Sequence, residues 1–191
     1  KSSISSNTDS LTKLILSSGS NYNENSRIRV RNNCKIIAEN RSKIVLGDYS
    51  QIILERLENQ TTQINSKLLL ENNSNLVFGI NSEINVNAYG ELINEGGLIA
   101  YSQNSNAKII IQSNGLYEIK PNVTNIHTVN NGGRILLQGG HLKIGDNSNL
   151  IFDGSTSFMQ IDAGSSIVLE KKKKIEFKNG AYLIANGSAI S

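Results

Sequence analysis

From residue 135 onward, apolar residues come in pairs separated by one other residue: Ile135 and Leu137, Leu142 and Ile144, Leu150 and Phe152, Met159 and Ile161, Ile167 and Leu169, Ile175 and Phe177, Leu183 and Ala185. Successive pairs are 7, 8, 9, 8, 8 and 8 residues apart. Residues i and i+2 share one face of a strand, so each pair predicts a short strand turning two side chains the same way. The pattern continues upstream through Ile28 and Val30, Cys34 and Ile36, Ile44 and Leu46, Ile52 and Leu54, Leu68 and Leu70, Leu76 and Phe78, Ile84 and Val86, Ile109 and Ile111, and Tyr117 and Ile119. It falters near "TTQIN", which reads as a degenerate strand, and around 88–108 and 120–132, which are expected to be loops or short insertions. Only "SQIILERLENQ" at 50–60 has helical spacing, for one or two turns.

Strands this short cannot each complete a core, but they can stack as coils that bury one continuous apolar column. Three strands at a step of about 8 make a coil of roughly 24 residues. Matching triplets are Ile135, Met159 and Leu183, or Leu142, Ile167 and Ala189. These features predict an all-β chain, a right-handed parallel β-helix (β-solenoid) with three strands per coil, about seven or eight coils rising roughly 4.8 Å each. A left-handed hexapeptide helix would need a step of six. A two-sheet antiparallel sandwich is the alternative, but it wants longer strands and a core richer in aromatics than 5% supplies. Residues 1–27 do not follow the step and are expected to form an N-terminal cap or lead-in. Residues 28–191 are expected to be a single β-helix domain that continues in a larger parent chain, because an uncapped solenoid end is an exposed sheet edge.

Composition fits tight corners between strands. The chain has 27 Asn, 26 Ile, 24 Ser and 19 Leu, but one Pro and no Trp. Asn tolerates the left-handed backbone and can ladder with its own kind one coil away. The Asn-Gly pairs at 114, 131, 179 and 186 and the glycines at 132, 133, 139 and 140 are therefore expected at corners. The single cysteine, Cys34, cannot form an internal disulfide and reads as a small buried hydrophobe. No stretch reaches the ~18 to 20 apolar residues of a membrane span.

Candidate chemistry is sparse. Of five aspartates, Asp146, Asp153 and Asp162 each follow a strand, so they fall on successive corners and do not converge on one spot. Glu55, Glu58 and Glu71, opposed by Arg56 and Lys67, read as a solvated face. His127 and His141 have no Cys or acid at ligand spacing, and "GDNSN" at 145–149 lacks the surroundings of a calcium loop. There is no phosphate-cradling loop and no nucleophile motif, so no catalytic, cofactor or metal residue is expected. Scattered threonines do not make an ice-binding rank. Nucleic acid is not an expected partner despite a sequence pI near 9.0: the net charge is only +3, and the aromatics are not interleaved with the basic residues. The one basic run, Lys171, Lys172, Lys173 and Lys174, reads as a solvated corner between two strands, with capture of a polyanion as its sharper reading.

The segment "GGRILLQGGHLKIGDNSNLIFDGSTSFMQIDAGSSIVLEKKKKIEFKNGAYLIANGSAIS", residues 132–191, resembles the repeat regions of secreted and cell-surface proteins of the Bacteroidetes. In those proteins such runs precede adhesin modules or the C-terminal sorting domain of the type IX secretion system. The resemblance covers the last 60 residues well and the rest loosely. It implies an exported stalk or surface module, extracellular or on the cell surface, with protein partners or sister subunits and surface glycans within reach. "DSL" at 9–11 is similar to the O-glycosylation acceptor of such bacteria, which implies Ser10 as a modified residue. The functional expectation is a non-enzymatic, structural or adhesin-like solenoid. The alternative is a carbohydrate-binding or carbohydrate-active, pectin-lyase-like β-helix, which would carry stacked aromatics and clustered acids on one outer face.

Overall fold

The computed structural model describes residues 13–16, 27–31, 35–38, 43–55, 65–123, 126–171 and 173–187. Their regular structure is all strand, in parallel pairs that wind as a β-solenoid of three strands and about 25 residues per turn. One face is a seven-stranded sheet of β2 (Arg27–Arg31), β5 (Gln51–Glu55), β8 (Glu83–Val86), β11 (Lys108–Gln112), β14 (Arg134–Gln138), β17 (Phe158–Asp162) and β20 (Tyr182–Asn186). The second has six: β3 (Lys35–Ala38), β6 (Ser66–Leu70), β9 (Gly90–Asn94), β12 (Leu116–Ile119), β15 (His141–Ile144) and β18 (Ser166–Leu169). The third comes in two parts. Four strands, β1 (Lys13–Leu16), β4 (Lys43–Leu46), β7 (Asn75–Phe78) and β10 (Leu98–Tyr101), are followed by three, β13 (His127–Val129), β16 (Asn149–Asp153) and β19 (Lys174–Lys178).

The register stacks like on like. Ile84, Ile109, Ile135 and Met159 are successive partners on the seven-stranded face, as are Tyr117, Leu142 and Ile167 on the six-stranded one. A side chain turned inward is thus covered by its counterparts one coil above and below, at the ~4.8 Å strand spacing. The inward pairs from Ile36 to Ile161 form one core cluster, which aliphatic residues dominate.

Corners are made of small residues and asparagine. Ser50, Ser74 and Ser82 are buried there, and each hydroxyl donates to the carbonyl three residues back. Among the described residues nine asparagines adopt positive φ, Asn114, Asn131 and Asn179 among them, and Asn147 donates through Nδ2 to Asn122 Oδ1 at 2.7 Å, one coil away. At the corner between the seven- and six-stranded faces the backbones nearly touch: a Cβ on Gly115 would lie 2.4 Å from the Val86 carbonyl oxygen. That position admits only glycine without a backbone shift.

Several expectations need correction. The regions 88–108 and 120–132 are not simply loops, for they contain β9, β10 and β13. One inward position in each is occupied by Asn94, Tyr101 or His127, so no aliphatic pair marks the strand. β3 buries Ile36 and Ala38 as its inward pair in place of Cys34 and Ile36, while the stretch with helical spacing begins as the strand that its Ile52 and Leu54 pair predicts, β5. The degenerate strand near "TTQIN", Cys34, Ala189 and almost all of the N-terminal lead-in lie outside the described residues. In the last coil the inward pattern persists but the cover does not: Leu169 is 47% and Leu183 40% exposed, and Ile167, Ile175 and Phe177 are half-buried.

Leu142 and Ile167 are register partners, the first fully buried and the second half-buried. Leu142→Ala is expected to lose about 2–5 kcal/mol of stability, and Ile167→Ala less than about half as much. Chemical denaturation of the two variants checks this; equal losses would mean that the last coil is covered in solution.

Candidate functional site

The lysine corner does not present four free charges. Register places Lys174 beside Asn149, so Lys173 falls where the buried Ser148 sits one coil earlier. Its side chain is fully covered, donating from Nζ to the Lys171 carbonyl at 2.8 Å and standing 3.5 Å from Asp146 Oδ1. The Lys173 side chain is therefore covered, at the register position that a buried serine holds one coil earlier. Lys174 pairs with Glu176, which also binds Lys178 at 2.9 Å. Lys171 is exposed. Lys172 and Ser10 lie outside the described residues.

A ribbon of alternating charge runs along the six-stranded face. Glu118 is 7% exposed and is held by Lys120 at 2.8 Å and Lys143 at 3.1 Å; Lys143 reaches on to Glu170 at 3.3 Å in the next coil. Desolvation pushes the Glu118 pKa up, but the hydrogen bonds and charges of Lys120 and Lys143 together outweigh it and leave the carboxyl below its ordinary range. Lys67 with Glu91 at 2.8 Å and Lys108 with Glu83 at 3.1 Å repeat the device, each across one coil. Asp153 and Asp162 serve corners: each accepts from an asparagine one coil on, Asn179 at 2.6 Å and Asn186 at 2.9 Å. His141 bonds Ser166 through Nδ1 at 2.7 Å.

Among the described residues, exposed aromatics are Tyr89 at a corner and Tyr182, which stands beside Phe158 on a sheet face. Phe158 and Tyr182 stack on the seven-stranded face with centroids 5.1 Å apart, and the Arg134 guanidinium lies 4.9 Å from the Phe158 centroid. The rings lie flat against one another along the solenoid axis, so this is a cross-strand ladder.

Among the described residues, the strongly perturbed cluster is internal. His127, 2% exposed, takes the Tyr101 hydroxyl on Nε2 at 3.1 Å and the Tyr117 hydroxyl on Nδ1 at 2.6 Å. Burial drives its pKa down to about 3 and raises both phenols. Asn94, also buried, accepts through Oδ1 from the Gly96 and Gly97 amides at 3.0 and 2.8 Å. Sequence spacing could not group these residues, because the coils bring together positions 10 to 33 apart. The available signal was a polar or aromatic residue at an inward phase. Among the described residues, no three His, Cys, Asp or Glu side chains cluster as metal ligands would. No family model, curated protein or solved structure matches the chain.

Because the folded pKa of Glu118 is lowered, its contribution to stability is present above the ordinary carboxylate pKa and is lost as pH falls through the lowered value. Glu118→Gln is expected to cost about 1 kcal/mol at neutral pH and nothing measurable once the wild-type carboxyl is protonated. Urea midpoints measured across that range for both proteins check the sign.

Proposed function

We propose that the chain is a non-enzymatic, extracellular β-solenoid module of a secreted or cell-surface protein: a stalk, or part of a surface-presented filament, of the adhesin-like kind. The observation that carries this reading is where the outer carboxylates go. Glu83, Glu91, Glu118 and Glu170 each pair with a lysine, and four of the five contacts cross from one coil to the next. An acid–base pair for glycan cleavage needs carboxyls that converge and exchange protons. Carboxylates paired with lysines instead tie coil to coil along the axis, which favours a stiff spacer. The outward ring of Phe158 lies between Tyr182 and the Arg134 guanidinium, which favours cross-strand support over a sugar-stacking groove at that ring.

Such a module works by length and fixed presentation. Each coil adds roughly 4.8 Å of rise and a set of corners on which partner-facing residues can sit. The resemblance of residues 132–191 to exported repeat regions, including type IX secretion cargo, supports the location, with protein partners, sister subunits or surface glycans at the corners.

Antibodies against residues 65–187 are expected to label intact source cells or their medium, and labelling only after permeabilisation would overturn the location. Incubation with a panel of neutral and acidic polysaccharides is expected to release no new reducing ends or unsaturated sugars; release of either would overturn the non-enzymatic reading.

A further inference from the structure

The seven- and six-stranded faces run unbroken past the level of β13, through β11–β14 and β12–β15. The third face is interrupted there, with one sheet ending at β10 and the next beginning at β13. His127 stands at the break. Its ring is parallel to that of Tyr101 but 6.1 Å away, whereas Phe78–Tyr101 and Phe152–Phe177, each within one sheet, are 5.0 and 5.1 Å apart. The adjoining corner adds the Ser105 amide donating to the Asn131 carbonyl at 2.8 Å, and Asn131 Nδ2 donating to the Tyr101 carbonyl at 2.9 Å.

A neutral imidazole has one donor and one acceptor nitrogen, so one tyrosine hydroxyl accepts from it and the other donates to it. A second proton makes both nitrogens donors, so the hydroxyl that donated can then only accept, and its own proton must turn off the ring and lose its partner inside an apolar core. The groups around the ring are Tyr101 from β10, Tyr117 from β12 with Asn94 of β9 beside it, and the apolar Leu150 and Phe152 of the adjoining β16. None of these carries a negative charge at neutral or acid pH to offset an imidazolium. We propose that this junction is an acid-labile hinge: protonation of His127 parts β13 from β10 and opens the third face, while the other two faces keep the coils attached. The inference goes beyond the stalk reading and does not depend on it.

The sign follows from linkage. In the closed form burial holds the His127 pKa at about 3, and in the open form it returns to about 6.5. The lowered pKa stabilises the closed form fully above about 6.5, and that stability is lost as pH falls toward 3. The opening constant therefore rises about tenfold per pH unit through that window.

Three amides report on one coil boundary: Ser105 donating to Asn131 at the corner that follows the third face, Arg134 to Ala107 on the seven-stranded face and His141 to Gly115 on the six-stranded face. In residue-resolved hydrogen exchange, corrected for intrinsic rates, Ser105 is expected to lose protection about tenfold per unit below about pH 6.5, with Arg134 and His141 unchanged until the carboxylate range. His127→Phe keeps a ring in the stack and is expected to flatten the Ser105 profile. Parallel loss at all three amides, no loss at Ser105, or the same slope in folded His127→Phe would overturn the proposal. If that variant does not fold, the comparison within the wild-type chain still decides.

Discussion

No coil of this protein has a core of its own. An inward Ile or Leu is buried only because the same position in the coils above and below holds a residue of similar size, so burial is a property of register. A slip of one residue would turn every inward side chain to solvent, which is why corner length is held so closely. Ser50 and Ser82 close their corners with side-chain hydrogen bonds, Asn147 turns through positive φ, and Gly115 lets the backbone pass the Val86 carbonyl. The chemistry of the corners is the condition for the apolar columns.

That dependence makes a polar residue in a column a problem for its neighbours as well as itself. Asn94 is turned toward the amides of the next corner, and His127 is satisfied by tyrosines from two other strands. The solution is local, whereas aliphatic stacking repeats along the whole length. The third sheet is interrupted at the level where His127 replaces an aliphatic residue, and the neighbouring faces carry the continuity.

The same logic decides what could be read from the sequence. Strands such as β14 to β17 were legible because both inward positions are apolar, and the step of about 8 followed from short corners between them. β9, β10 and β13 were hidden because Asn94, Tyr101 and His127 hold core positions that periodicity scores as loop. Exposure of the last coil was also illegible: Leu183 has the same pattern as its column mates Ile135 and Met159, yet burial needs a neighbour on both sides. Pairing of Glu118 with Lys143 could be foreseen only once register was known, since the two lie 25 residues apart.

Charge shows most clearly how register changes a reading. A pI near 9.0 and four lysines in a row suggest a basic patch when the chain is read as a line. On the solenoid, Lys173 takes the slot of a buried serine, and Lys174 faces Glu176. A polyanion approaching this corner would meet Lys171 in the open, while Lys174 would have to release its carboxylate first. Exposed pairs of this kind are individually weak, worth about 0–1 kcal/mol, so they do not forbid an anionic ligand. They do mean that, among the described lysines, attraction at this corner would be set first by Lys171, and it would be screened within about 8–10 Å at physiological salt. A lysine covered at its stem and bound to a backbone carbonyl belongs to the fold first, and the length of the run overstates the charge that the corner can offer.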